Sequence, residues 1–289
     1  MRRSLLALAA LSTALAMPLQ AVDPVVLKPY GPWNVDFGQD ACRLQRLFGS
    51  AEDKHVLVFT QYWPSEGAGL TLAGSALGRF RTLDRTNVRY NDGQEPLQAV
   101  AFAGNFGDIG KALIFPGVSL KEPTLLEDRE PGPDKPFSQM DVALGKTVQF
   151  VAVTQGGREV RFETGALDKT FEVLNQGTLD LLTKMGLDAQ KHVTMTSEAR
   201  WLNRQALTRR IAEQYSGEAR GEQGIMRMRV IVGVDGKVEE CRILKATATQ
   251  FLESPACEVM QRAQFEPARD AAGEPFRSLF ATSITYRIG

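Results

Sequence analysis

Near its C-terminus the chain alternates. In "IMRMRVIVGV" Met226, Met228, Val230, Val232 and Val234 fall on one side, with Arg227 and Arg229 on the other. That period of two predicts a strand with one buried and one wet face. Asp235-Gly236 supplies the positive backbone angle of a tight hairpin. "KVEECRIL" then returns as a second strand, with Cys241 and Ile243 on one face. "FRSLFATSITYRI" alternates again, Phe276, Phe280, Ile284, Tyr286 and Ile288 against Arg277, Thr285 and Arg287, and predicts a long third strand.

Two helical patterns accompany these strands. In "SPACEVMQRA" Ser254 can cap the free N–H groups, and Pro255 takes the first helical position, where its missing donor costs nothing. Cys257, Met260 and Ala263 then line the face toward the sheet. A longer helix is expected to open at Ser197, with Leu207, Ile211 and Tyr215 on one stripe and Arg204, Arg209 and Arg210 on a solvated face. "FEPARDAAGEPF" (Phe265–Phe276) ends the short helix, sets Phe265 against the sheet and turns the chain through Pro267, Gly273 and Pro275 into the third strand.

The region from 22 to 193 reads differently. Short apolar or alternating runs at His55–Trp63, Gly69–Gly74, Leu97–Gly104, Lys111–Gly117, Thr147–Thr154 and Arg158–Thr164 are separated by Gly, Pro and Asp clusters, the signature of strands and turns. Gly156-Gly157 marks a hairpin, and "EDREPGPDK" (Glu127–Lys135) a surface loop. One helix closes the region, with Phe171, Leu174, Leu181 and Met185 on one face, Gly177 in its interior and Gly186 as its C-cap. The fold class expected is α+β.

Composition changes the picture mainly through location. "MRRSLLALAALSTALAMPLQA" has a basic start, a short apolar middle and a small-residue exit, which predicts a signal peptide over 1–21 and a periplasmic mature protein. No run sustains the roughly 18 apolar residues of a membrane span. The 34 basic and 34 acidic side chains give none of the positive excess that nucleic-acid binding demands.

The order helix, hairpin, helix, strand resembles the C-terminal domain of the TonB energy-transducer family. The resemblance rests on Tyr215, Gly224 before the strand, "VDGKV" at Val234–Val238, "FEPA" at Phe265–Ala268 and "GEPF" at Gly273–Phe276. It covers about residues 205–289, after a linker and helix start at 194–204, and none of the β-rich domain at 22–193. It implies two helices on a three-stranded antiparallel sheet that binds an extended peptide of an outer-membrane transporter. The chain departs from the family in its prolines: the 14 are scattered, with no proline-rich spacer.

A sheet edge binds such a peptide by lending it unpaired main-chain groups. The third strand is the candidate edge, with Ser278, Phe280, Thr282, Ile284 and Tyr286 as contacts. Export into an oxidising compartment makes a bridge between Cys241 and Cys257 the expected state, two buried thiols being the alternative. Cys42 is left over as a small apolar group.

Catalytic signals are thin. His55 and His192 are far apart and lack metal-ligand spacing with any Cys. "GSALG" puts Ser75 in the wrong place for a nucleophile elbow. "GNFGDIG" lacks the helix and lysine of a phosphate loop. The expectation is a non-enzymatic, cofactor-free envelope protein that engages a protein partner by strand addition, in association with transport. The alternative left open gives the N-terminal domain a ligand-binding or hydrolytic role, with the TonB-like domain structural or forming a homodimer.

Overall fold

A computed structural model describes residues 23–121, 137–215, 224–245 and 255–286 of the protein. The leader, the loop at Glu127–Lys135, Ser254, Arg287, Ile288 and the side chain of Tyr215 lie outside these residues.

The N-terminal part begins with strands β1 (Val25–Leu27), β2 (Asn34–Phe37), β3 (Cys42–Gly49), β4 (Lys54–Gln61) and β5 (Ala68–Ala73). It continues through β6 (Arg85–Arg89), β7 (Leu97–Val100), β8 (Phe102–Phe106) and β9 (Gly110–Val118). Helix α1 (Val142–Gly145), the hairpin β10 (Val151–Gln155) to β11 (Arg158–Phe162), and helices α2 (Asp168–Lys184) and α3 (Ala189–Thr194) complete it.

Its strands form two sheets, ordered β2-β3-β4-β5-β9-β8 and β1-β11-β10-β6-β7. Phe48, Phe59, Phe115, Phe162 and Phe171 fill one core between them. The run Leu97–Gly104 reads as a single strand in sequence but is two. β7 pairs with β6 in one sheet and β8 with β9 in the other. The break falls at buried Ala101, whose carbonyl accepts from Leu83 N–H at 2.8 Å. Gly156 and Gly157, both at positive φ, make the two-residue turn of the β10–β11 hairpin.

Helix α2 packs on that core through Phe171, Leu174 and Leu181. Gly177 is what lets it approach: a Cβ there would lie 2.4 Å from Cys42 Sγ. Gly186, at φ +71°, follows the helix as its C-terminal stop.

The C-terminal part comprises β12 (Arg200–Trp201), α4 (Arg204–Tyr215), β13 (Gly224–Val232), β14 (Val238–Lys245), α5 (Ala256–Met260), β15 (Phe265–Glu266) and β16 (Ser278–Tyr286). Its main sheet is antiparallel, ordered β14-β13-β16. The helix expected from Ser197 starts instead at Arg204. The intervening residues are extended: Ser197 bridges Arg269, and β12 pairs with β15. Trp201 stacks on Phe265 at 6.2 Å and meets Phe280 edge-on, aromatic packing that an early helical turn would forfeit. Leu207 and Ile211 of α4 reach the core, and Arg204, Arg209 and Arg210 face water.

Strand β13 corrects a second expectation. It is buried on both faces, not one, and Arg227 and Arg229 are only 7% and 4% exposed. The N-terminal part covers what reads in sequence as the wet face. Arg229 pairs with Asp40 at 2.8 Å, and Arg227 donates to the Pro116 carbonyl beneath the rings of Tyr62 and Trp63. Ile231 shares a small apolar cluster with Leu182 and Leu187. The two parts are therefore docked through the sheet of the smaller one.

Candidate docking edge

Among the described residues, strand β16 lies at the margin of its sheet and pairs on one side only, with β13, over the full run Gly224↔Tyr286 to Val232↔Ser278. The orientation of its main chain is fixed by one contact on the other side. The N–H of Leu279 donates to Nε2 of His192 at 3.1 Å, so Leu279 points away from β13. Antiparallel pairs alternate between those that exchange both hydrogen bonds and those that exchange none. Ala281 and Ser283 therefore also direct N–H and C=O outward, and Phe280, Thr282 and Ile284 direct theirs into the ladder.

Side chains alternate the other way, from face to face. Phe280 and Ile284 join the core under α4 and α5, while Leu279 packs with Leu182 and Leu187 of the N-terminal part. Ser283 accepts from Arg227 on that same face. A depression flanks the edge on each side. One, of about 440 Å³, lies against α4 and is lined by Trp201, Arg204, Thr208, Ile211, Thr282 and Ile284. The other, of about 230 Å³, lies between the two parts and is lined by Trp63, Pro64, Phe137, Met195, Leu279 and Ala281.

Residues 213–288 match a family model described as Gram-negative bacterial TonB protein C-terminal. The C-terminal part is a TonB C-terminal domain. No curated protein and no solved structure matches the chain. A TonB domain points to a protein partner in the cell envelope and to transport. Among the described residues no helix is long and apolar enough to cross a membrane.

All five edge residues singled out in sequence lie on the helix-facing side of β16. Ser278 and Tyr286 are buried at the two ends of the strand, and Phe280, Thr282 and Ile284 are partly covered. The outward main-chain groups belong to Leu279, Ala281 and Ser283, which the alternation of side chains does not reveal. Elsewhere in the TonB domain, Cys241 on β14 and Cys257 on α5 form a disulfide, with Cα atoms 5.4 Å apart. It ties the helix to β14, at the opposite margin of the sheet from β16.

The two histidines do separate work. His55 is buried, with Nδ1 3.2 Å from the Asp53 carbonyl and Nε2 accepting the Ala76 N–H at 3.1 Å. Ser75 Oγ donates to the Asp53 carboxylate at 2.8 Å and sits 3.4 Å from Nε2. The imidazole lone pair is thus engaged by main chain, and the cluster latches a turn. His192 on α3 covers the first outward N–H of the docking edge, a role for which its sequence context carries no signal. Cys42 is buried, and burial above all, with Asp36 and Asp180 adding to it, pushes its thiol up to about 11.

Proposed function

We propose that the protein is a non-enzymatic, exported binding protein of the envelope whose TonB domain takes up an extended segment of a protein partner by strand addition. An outer-membrane transporter is the partner class the domain suits, and a role in transport follows. The observation that supports this is the stretch Ala281–Ser283: its outward N–H and C=O groups have no partner among the described residues, and Ser283 is exposed. Unpaired edge groups are satisfied best by another strand. Leu279, by contrast, is already closed off by His192, so the added segment starts beyond it.

The test uses the direction of the main chain. Ala281→Pro removes an outward donor and leaves the ladder to β13 whole, as proline is tolerated on an edge whose N–H faces water. Titration of the purified protein with peptides copied from the periplasmic segments of outer-membrane transporters should show binding that Ala281→Pro abolishes while the thermal melt stays in place. Thr282→Pro, whose N–H belongs to the ladder, should lower the melt itself. Peptide binding that is unmoved by Ala281→Pro would remove strand addition as the mode.

A further inference from the structure

We propose that the N-terminal part forms one wall of the docking site, so that the added strand is read on both faces. A bulky apolar side chain enters the groove between the two parts, and an acidic side chain beside it meets Arg204. This rests on the strand-addition reading above and adds what the partner must look like.

Residues directly opposite one another in paired strands carry their side chains on the same face. The partner residue opposite Ala281 therefore points toward the N-terminal part. There the groove of about 230 Å³ is lined by Trp63, Pro64, Phe137 and Met195 together with polar groups that include Ser138 and Glu198, and it has room for one aromatic or branched side chain packed on the apolar members. The partner residue opposite Thr282 is its immediate neighbour and points to the other face, toward α4. In that larger depression Arg204 is exposed and makes no ion pair among the described residues, so a carboxylate is the complementary group. In a parallel addition the pair reads apolar then acidic along the partner, and in an antiparallel one the reverse.

A second copy of this chain suits the site poorly. Two β16 strands paired about Thr282 would offer the interdomain groove only Ser283, and would bring two Arg204 side chains onto one face. An extended segment of another protein carries the pattern without that conflict.

The probes are eight-residue peptides of alternating Thr and Val with Phe-Glu or Glu-Phe at the centre, and counterparts with Ala for Phe or Lys for Glu. Binding to the purified protein is measured by calorimetry, and the preferred order gives the strand direction. Ser138→Trp fills the interdomain groove and should weaken the Phe peptide about tenfold while leaving the Ala peptide unchanged. Arg204→Glu should reverse the preference for Glu over Lys by a similar factor. Circular dichroism checks that both variants fold. Peptides that bind the parent and are lost in Ala281→Pro, yet ignore both groove variants, would overturn the two-walled site and leave strand addition standing. No binding by any peptide overturns both, and a concentration-dependent dimer abolished by Ala281→Pro would then assign the edge to a second copy.

Discussion

The main-chain N–H of Leu279 holds the neutral His192 ring in a single tautomer. Nε2 of the ring accepts the Leu279 N–H at 3.1 Å, and Nδ1 faces the Asp188 carbonyl at 2.7 Å, so the proton sits on Nδ1. A second proton would set N–H against N–H. Burial lowers the His192 pKa from its ordinary value near 6.5, with the Asp188 carbonyl and carboxylate pulling more weakly the other way. The unfolded chain therefore takes up a proton before the folded one does. The resulting stability is complete above about pH 6.5 and is lost as pH falls below it toward the lower folded value. Thermal melts of the parent should decline through that window. His192→Gln keeps an acceptor and removes the titration, so its profile should be flatter there. Identical profiles for parent and variant would dissociate this hydrogen bond from the pH response.

Asp40 is the hinge of the contact between the two parts. It accepts from Arg229 at 2.8 Å and from Arg242 at 2.9 Å, and the Arg229 side chain is almost wholly covered. Removing the carboxylate leaves a buried cation without its partner, which costs far more than losing a surface pair. Asp40→Ala should lower the unfolding free energy by about 2–3 kcal/mol, less than a fully buried pair because Asp40 keeps some contact with water. Arg229→Met combined with Asp40→Leu should recover most of that loss in denaturant titration. A silent Asp40→Ala would mean that the two parts are not held together here.

The TonB domain was legible in sequence because its signals are local. The alternation in Met226–Val232, the Asp235-Gly236 turn and the Phe265–Phe276 connection each report on their own few residues, and the observed β13, β14 and β16 follow from them. What escaped depends on partners distant in the chain. Arg227 and Arg229 look solvated because nothing in their neighbourhood announces Asp40 or Pro116. Trp201 reads as part of a helical pattern because its partner, Phe265, lies 64 residues on. Side-chain alternation identifies the faces of β16 but not which residues turn their main chain outward. That follows from the phase of its hydrogen bonds with β13, which no composition encodes.

The bridge between Cys241 and Cys257 closes a loop with a sequence separation of 16. In the chain-entropy account a loop of that size withholds about 3 kcal/mol of freedom from the unfolded state. The short helix α5, five residues long, has little to hold it besides Ala256, Val259 and Met260 and this bond. Cys241→Ser with Cys257→Ser should therefore lower stability by about that amount and loosen α5 first, seen as faster amide exchange there than in β13. Equal melts in oxidising and reducing buffer would show that the bridge adds nothing.

Gly177 and Cys42 carry a prediction whose sign runs against propensity. In an exposed helix interior, Gly→Ala stabilises by about 1 kcal/mol. At Gly177 the new Cβ would lie 2.4 Å from Cys42 Sγ and 3.0 Å from Phe37 Cε1, at the seam where α2 presses on β3. Both the sulfur and the helix are confined by the core around them, so the added methyl forces the seam apart at a cost of about 1–3 kcal/mol. Cys42→Ala alone leaves a small void and is destabilising; in the double variant the two errors offset, and the cycle should show a strong favourable coupling. Thiol chemistry gives an independent reading. The buried, protonated Cys42 should resist a maleimide in the folded parent and react faster once Gly177→Ala opens the seam. A stabilising Gly177→Ala with an unreactive thiol would mean that α2 can shift at no cost, and that this glycine is not what sets its distance from the sheet.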